Sequence, residues 1–246
     1  MKKTLLFSLG ILTATIGFSQ TNFATTNGGS SGAANGNYDL YLRTINIDEK
    51  ETSFGLTKAE FNAIKNDAYV NSTCIAGNIY QDENLLKSGI LMRYNAYADE
   101  IEIAEDLGKK SKYGALTKDE SIFVKIANDI YVFVPYNGSN EKGGYFNVLA
   151  EGKTYNLYKK TISYFREPQK AKTSYGSNTS AAFDKTTKYY LVKKGEFFEL
   201  PTGKARLLKV MDSKKDEVVK FIKENKLEVD NESDFIKVFT YFDSLL

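Results

Sequence analysis

The sequence predicts a mainly β (α+β) protein, a curled antiparallel sheet or roll closed by a C-terminal helical hairpin. Three observations carry this prediction. They are paired runs of alternating apolar residues, 17 Tyr and 16 Phe that suit half-buried pleated surfaces, and a change to helical periodicity after Asp212. The chain divides into an N-terminal segment (1–19), a leader (20–37), a β domain (38–200) and a helical hairpin packed on it (201–246).

The N-terminus has the pattern of a secretory signal peptide. Lys2 and Lys3 precede the apolar stretch Thr4–Phe18, and Gly17 and Ser19 form the small-x-small pair that signal peptidase accepts. The apolar stretch is too short for a membrane span, and no cysteine stands near the cleavage point to carry a lipid. We therefore expect an exported chain, periplasmic or extracellular, with neither a membrane span nor a lipid anchor.

The amino-acid composition excludes several classes of function. Lys and Arg total 33 against 31 Asp and Glu, and loss of the two N-terminal lysines brings the formal charge from +2 to zero, so we expect no nucleic-acid partner. The chain has no His, which removes Ser-His-Asp and Cys-His catalysis and the usual zinc sites. Its single cysteine, Cys74, can form neither an internal disulfide nor a thiolate metal cluster. We expect no cofactor and no metal site, and a non-catalytic protein is the favoured interpretation.

Two polar segments are predicted to be mobile. Residues 20–37 consist mainly of Gly, Ser, Asn, Thr and Ala, and they bury too little apolar surface to offset the entropy of ordering them. Residues 166–186 form a connection rich in Lys, Ser, Thr, Gly and Ala, longer than ordinary loops between strands.

A short helix is predicted near residues 58–66, before the strands begin. Thr57 and Glu60 have the spacing of a capping box, and Phe61 and Ile64 follow at helical spacing.

Three pairs of apolar runs predict β-hairpins, because each pair flanks residues that favour a turn. The pairs are Ile122–Ile126 with Ile130–Val134 around Asn128-Asp129, Tyr145–Ala150 with Lys153–Phe165 around Glu151-Gly152, and Lys188–Val192 with Glu196–Leu200 around Lys194-Gly195.

Helical periodicity predicts a C-terminal hairpin of two helices. Val218 and Ile222 lie on one face of the first, with Asp212 or Ser213 as its N-cap. The second begins around Asn231 and carries a stripe with the spacing of a buried helix face. This stripe consists of Phe235, Val238, Phe239, Phe242 and Leu246.

Carboxylates are concentrated near residue 100, and two carboxylates suffice for glycoside hydrolysis. On a strand, Glu100 and Glu102 point to one face while Asp99, Ile101 and Ile103 point to the other. We interpret Glu100 and Glu102 as the charged outer face of an amphipathic strand.

Residues 77–102 resemble a block found in a family of exported Gram-negative proteins of unknown function. In that block a Gly-x-x-Tyr turn leads into Arg-Tyr-Asn-x-Tyr-x-Asp and a following Glu. The matching positions here are Gly77, Tyr80, Arg93, Tyr94, Asn95, Tyr97, Asp99 and Glu102. The resemblance implies an exported location and an architecture, but no activity. A sheet curled around a helix is also similar to periplasmic carriers of the lipoprotein-chaperone kind, in fold alone.

The residues Arg93, Asn95, Tyr97 and Asp99 alternate, so a continuous strand would place all four on one face. This row is either a satisfied structural network, with Arg93 paired to Asp99 or to a carboxylate on a neighbouring strand, or a recognition patch that binds an anion. We favour the structural interpretation, because a half-buried arginine without a partner is costly.

A basic face on the first C-terminal helix is the second candidate site. Nearby acidic residues can balance it, which makes a solvated helix face the simpler interpretation. The alternative is docking on an anionic partner. The lysines are Lys214, Lys215, Lys220, Lys223 and Lys226.

Three hypotheses about function remain open. The first is an exported, non-catalytic module that binds an envelope component, whether protein, lipid or glycan. The second is a hydrolase that uses only carboxylates and acts on glycans. The third is a periplasmic carrier of a hydrophobic ligand, which a deep apolar groove without charges would favour.

Overall fold

A computed structural model of the chain describes residues 42–45, 54–104, 113–136, 139–171, 175–201 and 203–246. The described residues form a curled, half-barrel antiparallel sheet with several helices, which confirms the predicted mainly β (α+β) fold class. The predicted segments 1–19 and 20–37 lie outside the described residues. No helix within the described ranges is long and apolar enough to cross a bilayer.

The sheet contains 11 strands in the described ranges, in the order β1-β5-β4-β3-β2-β6-β7-β8-β9-β10-β11. The strands are β1 (Leu42–Ile45), β2 (Ile75–Gln81), β3 (Asn84–Asn95), β4 (Glu100–Ala104), β5 (Tyr113–Leu116), β6 (Ile122–Ile126), β7 (Asp129–Tyr136), β8 (Ser139–Glu151), β9 (Asn156–Arg166), β10 (Ala182–Lys193) and β11 (Glu196–Leu200). The helices are α1 (Lys58–Ile64), α2 (Lys204–Val210), α3 (Lys215–Glu224) and α4 (Glu232–Ser244), with 3₁₀ turns at Lys65–Ala68 and Asp212–Lys214.

Helix α1 confirms the predicted short helix and its capping box. The Thr57 hydroxyl accepts a hydrogen bond from the Glu60 backbone N–H at 3.3 Å, and the Glu60 carboxylate accepts one from the Thr57 N–H at 2.8 Å. Phe61 is buried on this helix and belongs to a small core cluster that also includes Phe183 of β10.

The predicted hairpins β6–β7 and β10–β11 are confirmed, although one turn is shifted. Ile126 pairs with Asp129, so the central residues of the first turn are Ala127 and Asn128 instead of Asn128 and Asp129. The second turn is centred on Lys194-Gly195 as predicted, and both residues have positive φ, which suits the turns that join antiparallel strands.

The hairpin β8–β9 has a longer loop than predicted, because β9 begins at Asn156 and not at Lys153. The buried carboxylate of Asp243 in α4 accepts hydrogen bonds from the backbone N–H groups of Lys153, Thr154 and Tyr155, the last at 2.8 Å. These groups are therefore satisfied by a helix and not by a strand ladder.

The predicted connection 166–186 is wrong at its C-terminal end. Strand β10 begins at Ala182, so the connection covers residues 167–181, and Gln169 and Thr179 form a β-bridge within it. Phe183 is buried, whereas the following residues up to Thr187 are exposed, polar or charged. Residues 184–187 are exposed on both faces of β10, so this part of the strand lacks the apolar and polar alternation of a half-buried strand. Its polar composition therefore predicts a loop.

Two larger core clusters hold the sheet and the helices. The first is formed by residues from β2 to β8, each at most 9% exposed: Ile79, Leu86, Met92, Tyr94, Ala96, Ile101, Ile103, Leu116, Ile122, Val124, Ile126, Tyr131, Phe133 and Tyr145. The second joins one face of β9–β11 to the helices: Leu157, Leu191, Leu200, Leu207, Leu208, Met211, Val218, Ile222, Phe235, Val238, Phe239 and Phe242.

The C-terminal region contains three α-helices and not the predicted pair, because α2 precedes α3. The predicted N-caps Asp212 and Ser213 are wrong, since they lie in a 3₁₀ turn and Lys214 is the residue before α3. The second predicted helix is confirmed as α4, with the Asn231 side chain accepting from the Asp234 N–H. Four members of its predicted stripe are buried, but Leu246 is 51% exposed.

Candidate functional site

Strands β8 and β9 stop pairing at Asn147 and Lys159, although both strands continue. Backbone groups of β9 beyond this point bind the turn between β3 and β4. The Ser163 N–H donates to the Ala96 carbonyl at 3.0 Å, and the Tyr94 hydroxyl donates to the Thr161 carbonyl at 3.3 Å. Tyr94 of β3 and the β3–β4 turn thus supply hydrogen bonds that a continued ladder would otherwise make.

Asp99 anchors this turn. Its Oδ1 accepts hydrogen bonds from the Tyr94 hydroxyl at 2.7 Å, the Tyr145 N–H at 3.1 Å and the Lys160 ammonium at 2.6 Å. Gly144 lies so close that a Cβ there would collide with Asp99 and Lys160. Burial lowers the pKa of Lys160, although the negative charge of Asp99 acts in the opposite direction. Burial also raises the pKa of Tyr94, and there Asp99 reinforces the effect. The group is a satisfied, largely desolvated network.

Arg93 and Asn95 bind a single carboxylate, that of Glu102 on β4. The Arg93 Nε and Nη2 donate to Glu102 Oε2 at 3.0 and 2.8 Å, and Asn95 Nδ2 donates to Oε1 at 2.8 Å. The Arg93 guanidinium also lies 3.7 Å from the ring centroid of Tyr69. The prediction that Glu102 lies on a charged outer face is wrong, because β4 is buried on both faces and Glu102 is 0% exposed.

The predicted continuous row of four residues does not exist, because β3 ends at Asn95. The Asn95 Oδ1 accepts from the N–H groups of Tyr97 and Ala98, which turns the chain. Tyr97 lies against the rings of Phe54 and Phe183, while Asp99 has φ +55°. Arg93 and Asn95 share the carboxylate of Glu102, and Asp99 accepts a hydrogen bond from Tyr94. These contacts within the protein favour the structural interpretation of Arg93, Asn95 and Asp99.

The prediction that the five candidate lysines all lie on one helix is wrong. Lys214 lies in the 3₁₀ turn and is half-buried, and Lys226 follows α3 with φ +53°. Lys215, Lys220 and Lys223 are exposed on α3, where Lys220 and Glu224 are 3.9 Å apart. The predicted basic face is therefore divided between α3 and the residues that flank it, and docking on it remains a prediction.

A different feature stands out at the end of the sheet, where β10 is much longer than its neighbour. Strand β10 has 12 residues and β11 has 5, so β11 pairs only with Tyr189–Lys193. Pro201, which lacks an N–H, follows directly after β11 and ends it. Residues 182–188 pair with β9 on one side, and on the other no strand of the described ranges covers them.

A groove with a volume of about 170 Å³ lies at this step. Its walls come from the uncovered part of β10, the end of β11, helices α2 and α4, and the α3–α4 loop. The lining residues are Thr187, Lys188, Tyr189, Glu199, Leu200, Pro201, Gly203, Leu207, Val229, Asp230, Glu232 and Phe235. The Tyr189 ring meets the Phe235 ring edge-on at 5.2 Å, which forms part of an apolar floor.

The rim of the groove is charged. Lys188 and Glu199 form an ion pair at 2.9 Å, and Glu232 accepts from Lys159 and from the Tyr189 hydroxyl, both at 2.9 Å. Burial, reinforced by Glu232, raises the pKa of Tyr189 to about 12. Asp230 is exposed and has no hydrogen-bond or ion-pair partner in the described part of the chain. One carboxylate of the rim is thus in excess.

A second groove, of about 500 Å³, lies between α1 and the connection 167–181. Its carboxylate, Glu60, already binds Thr57 in the helix cap, and residues of the connection form most of its wall. None of its lining residues belongs to a strand, so it offers no strand edge on which a partner could pair.

No family model, curated protein or solved structure matches this chain.

The groove was missed in the sequence because its parts are far apart and individually ordinary. Thr187 lies between the predicted connection 166–186 and the predicted strand that begins at Lys188, and Asp230 lies far from both in the chain. One signal was present: Pro201 limits β11 to the five residues after the Lys194-Gly195 turn, so any longer partner strand must have an uncovered edge.

Proposed function

We propose that the protein is an exported, non-catalytic module that binds another envelope component through the groove at the step between β10 and β11. The observation that carries the proposal is the groove itself, in which an apolar floor, an uncovered strand edge and the unpaired carboxylate of Asp230 meet. Such a combination offers burial, directional hydrogen bonding and charge selection at one place. The export part of the proposal rests on the signal-peptide pattern that ends at Ser19.

A hydrophobic carrier is less well supported. The residues from β2 to β8 that could line an internal cavity instead form a packed core cluster. The groove at the β10–β11 step, at about 170 Å³, is also smaller than the roughly 300–1,000 Å³ of sites that enclose small-molecule ligands. Its size suits one or two side chains of a larger partner.

A hydrolase that uses only carboxylates is also less well supported. Glu102 is buried and bound by Arg93 and Asn95, and Glu100 forms an ion pair with Arg43. A catalytic pair needs one carboxyl group that can donate a proton and a second that faces the substrate, and a fully buried, hydrogen-bonded Glu102 cannot face one.

Export is tested by the mass of the protein recovered from the periplasm or the medium. We expect an N-terminus at or near Gln20, because cleavage after Ser19 is the prediction. An exported species that retains Met1 would contradict the signal-peptide interpretation.

The binding role is tested with purified mature protein and envelope fractions. Val229→Glu places a charge in the groove, and Val210→Glu makes the same change on an exposed position of α2 that is 43% exposed and does not line the groove. We expect Val229→Glu to weaken binding at least about tenfold, as loss of a buried apolar contact does, and Val210→Glu to leave it unchanged. Melting temperatures identify any loss of folding. Equal binding by both folded variants would refute the proposed site.

A further inference from the structure

We propose that the partner supplies an extended peptide segment, which binds by β-strand addition to the uncovered edge of β10 with an apolar side chain in the groove and a basic side chain at Asp230. This inference rests on the proposed function and names the class of partner that the same site accepts. Three features of the site support it: the uncovered edge of β10, the apolar floor of the groove and the charge of Asp230.

The edge presents free backbone groups at regular spacing. In the two-residue hairpin β10–β11, Lys193 and Glu196 flank the turn, so the odd-numbered residues 193, 191 and 189 exchange hydrogen bonds with β11. The same alternation directs the backbone N–H and C=O groups of Thr187 and Lys185 toward the uncovered side. Both residues are exposed, and no strand in the described ranges lies beside them.

This edge is long enough for a short peptide. Its exposed part, from Asp184 to Thr187, spans about 14 Å at roughly 3.4 Å per residue, which matches a peptide of about four extended residues. A peptide in this position continues the line of β11 beyond Pro201, where it displaces no strand of the described ranges.

The groove then receives one side chain of that peptide. Thr187 lies on the same face of β10 as Tyr189, two residues on, and Tyr189 packs against the core cluster of the helices. A peptide residue paired with Thr187 therefore points its side chain toward the floor formed by Tyr189, Leu207 and Phe235. An aliphatic side chain fits the volume and the apolar character of this floor.

Charge decides which peptides are preferred. Glu199 and Glu232 are already paired with Lys188 and Lys159, so Asp230 is the groove carboxylate whose charge a partner can neutralise. A lysine or arginine beside the apolar anchor complements it. An exposed ion pair adds little affinity, so we expect Asp230 to contribute selectivity, while the backbone hydrogen bonds and the anchor contribute most of the affinity.

The test begins with a displayed library of short random peptides. The library is selected on the purified mature protein and counter-selected on Val229→Glu. We expect the enriched peptides to combine an aliphatic residue with a nearby Lys or Arg and no proline between them. A library that yields no peptide selective for the unmodified groove would overturn the inference.

The decisive variants are Thr187→Pro and Thr187→Val, measured with the best selected peptide. Proline removes the edge N–H at a position where its ring does not break the ladder with β9, whereas valine keeps both the N–H and the β-branched shape. We expect Thr187→Pro to bind the peptide at least about tenfold more weakly and Thr187→Val to bind it as tightly as the unmodified protein. N-methylation of the peptide at the residue facing Thr187 should have the same effect as the proline variant.

The charge step has its own measurement. Replacing the basic residue of the selected peptide by glutamate should weaken binding to the unmodified protein, and Asp230→Asn should remove most of that difference. A difference that persists in Asp230→Asn refutes the role of Asp230.

The outcomes separate this inference from the proposed function. If Val229→Glu loses binding to envelope fractions while Thr187→Pro binds selected peptides as well as Thr187→Val, the groove binds a partner but not by strand addition. If Val229→Glu keeps binding to envelope fractions, the proposed function itself fails. A second copy of this chain as occupant would show as a dimer in light scattering that Thr187→Pro dissociates, and that result would also overturn the inference.

Discussion

The buried pair of Arg93 and Glu102 allows the sharpest prediction of stability. The Glu102 side chain is 0% exposed and that of Arg93 is 12% exposed, and Arg93 makes two of the hydrogen bonds to the carboxylate. Arg93→Met keeps the apolar stem but removes the charge, which leaves a buried carboxylate without its cation and without two of its hydrogen bonds. Breaking a buried pair in this way costs about 3–5 kcal/mol of unfolding free energy.

The assay is thermal unfolding followed by circular dichroism. A protein of this size loses about 2–4 °C of melting temperature per kcal/mol, so we expect a decrease of about 6–20 °C for Arg93→Met. The matched control is Arg43→Met, which breaks the ion pair with Glu100 where the Arg43 side chain is 59% exposed. That change should cost at most about 1 kcal/mol.

A double variant identifies the cause of the loss. Glu102→Gln keeps an oxygen that can accept from Asn95 and removes the negative charge, so Arg93→Met/Glu102→Gln should be more stable than Arg93→Met alone. If Arg93→Met melts within about 2 °C of the unmodified protein, or if the double variant melts below the single one, the reasoning from desolvation is refuted.

Two further predictions concern pH and salt. The pKa of Tyr189 is raised from 10.0 to about 12 by burial and by Glu232, so its contribution to stability is fully present below pH 10 and lost as the pH rises toward 12. The stability difference between the unmodified protein and Tyr189→Phe in denaturant titrations should therefore shrink across this window, and a constant difference would contradict the shift. If the basic surface docks on an anionic partner, binding to anionic vesicles should weaken as salt rises from about 0.1 M to about 1 M, and further when five lysines become glutamine, whereas binding indifferent to both excludes it. These lysines are Lys214, Lys215, Lys220, Lys223 and Lys226.

Local patterns predicted the elements whose causes lie close together in the chain. The capping box at Thr57, the Lys194-Gly195 turn and the buried stripe of α4 each depend on residues within a few positions of one another. They could therefore be predicted from a single sequence.

Features that depend on distant partners were not predictable. Glu102 is typical of an exposed strand position until its partner Arg93 is placed opposite it by the register of β3 and β4. Asp99 and Lys160 are 61 residues apart, and their contact follows from the curl of the sheet, which has no sequence signature of its own. The prediction of a loop at the start of β10 is wrong for the same reason, because this polar stretch is a strand through its pairing with β9 and not through its composition.

The carboxylate of Asp243 has a consequence for the order in which the chain can fold. It binds the N–H group of Lys153, which precedes it by 90 residues. During synthesis or translocation, β8 and β9 emerge long before α4, so their connecting loop has exposed donors that only water can satisfy. The hairpin reaches its final geometry only after the helix docks. Closure of this loop is therefore a late event that reports assembly of the C-terminal half, and contacts of such long range slow folding relative to a local hairpin.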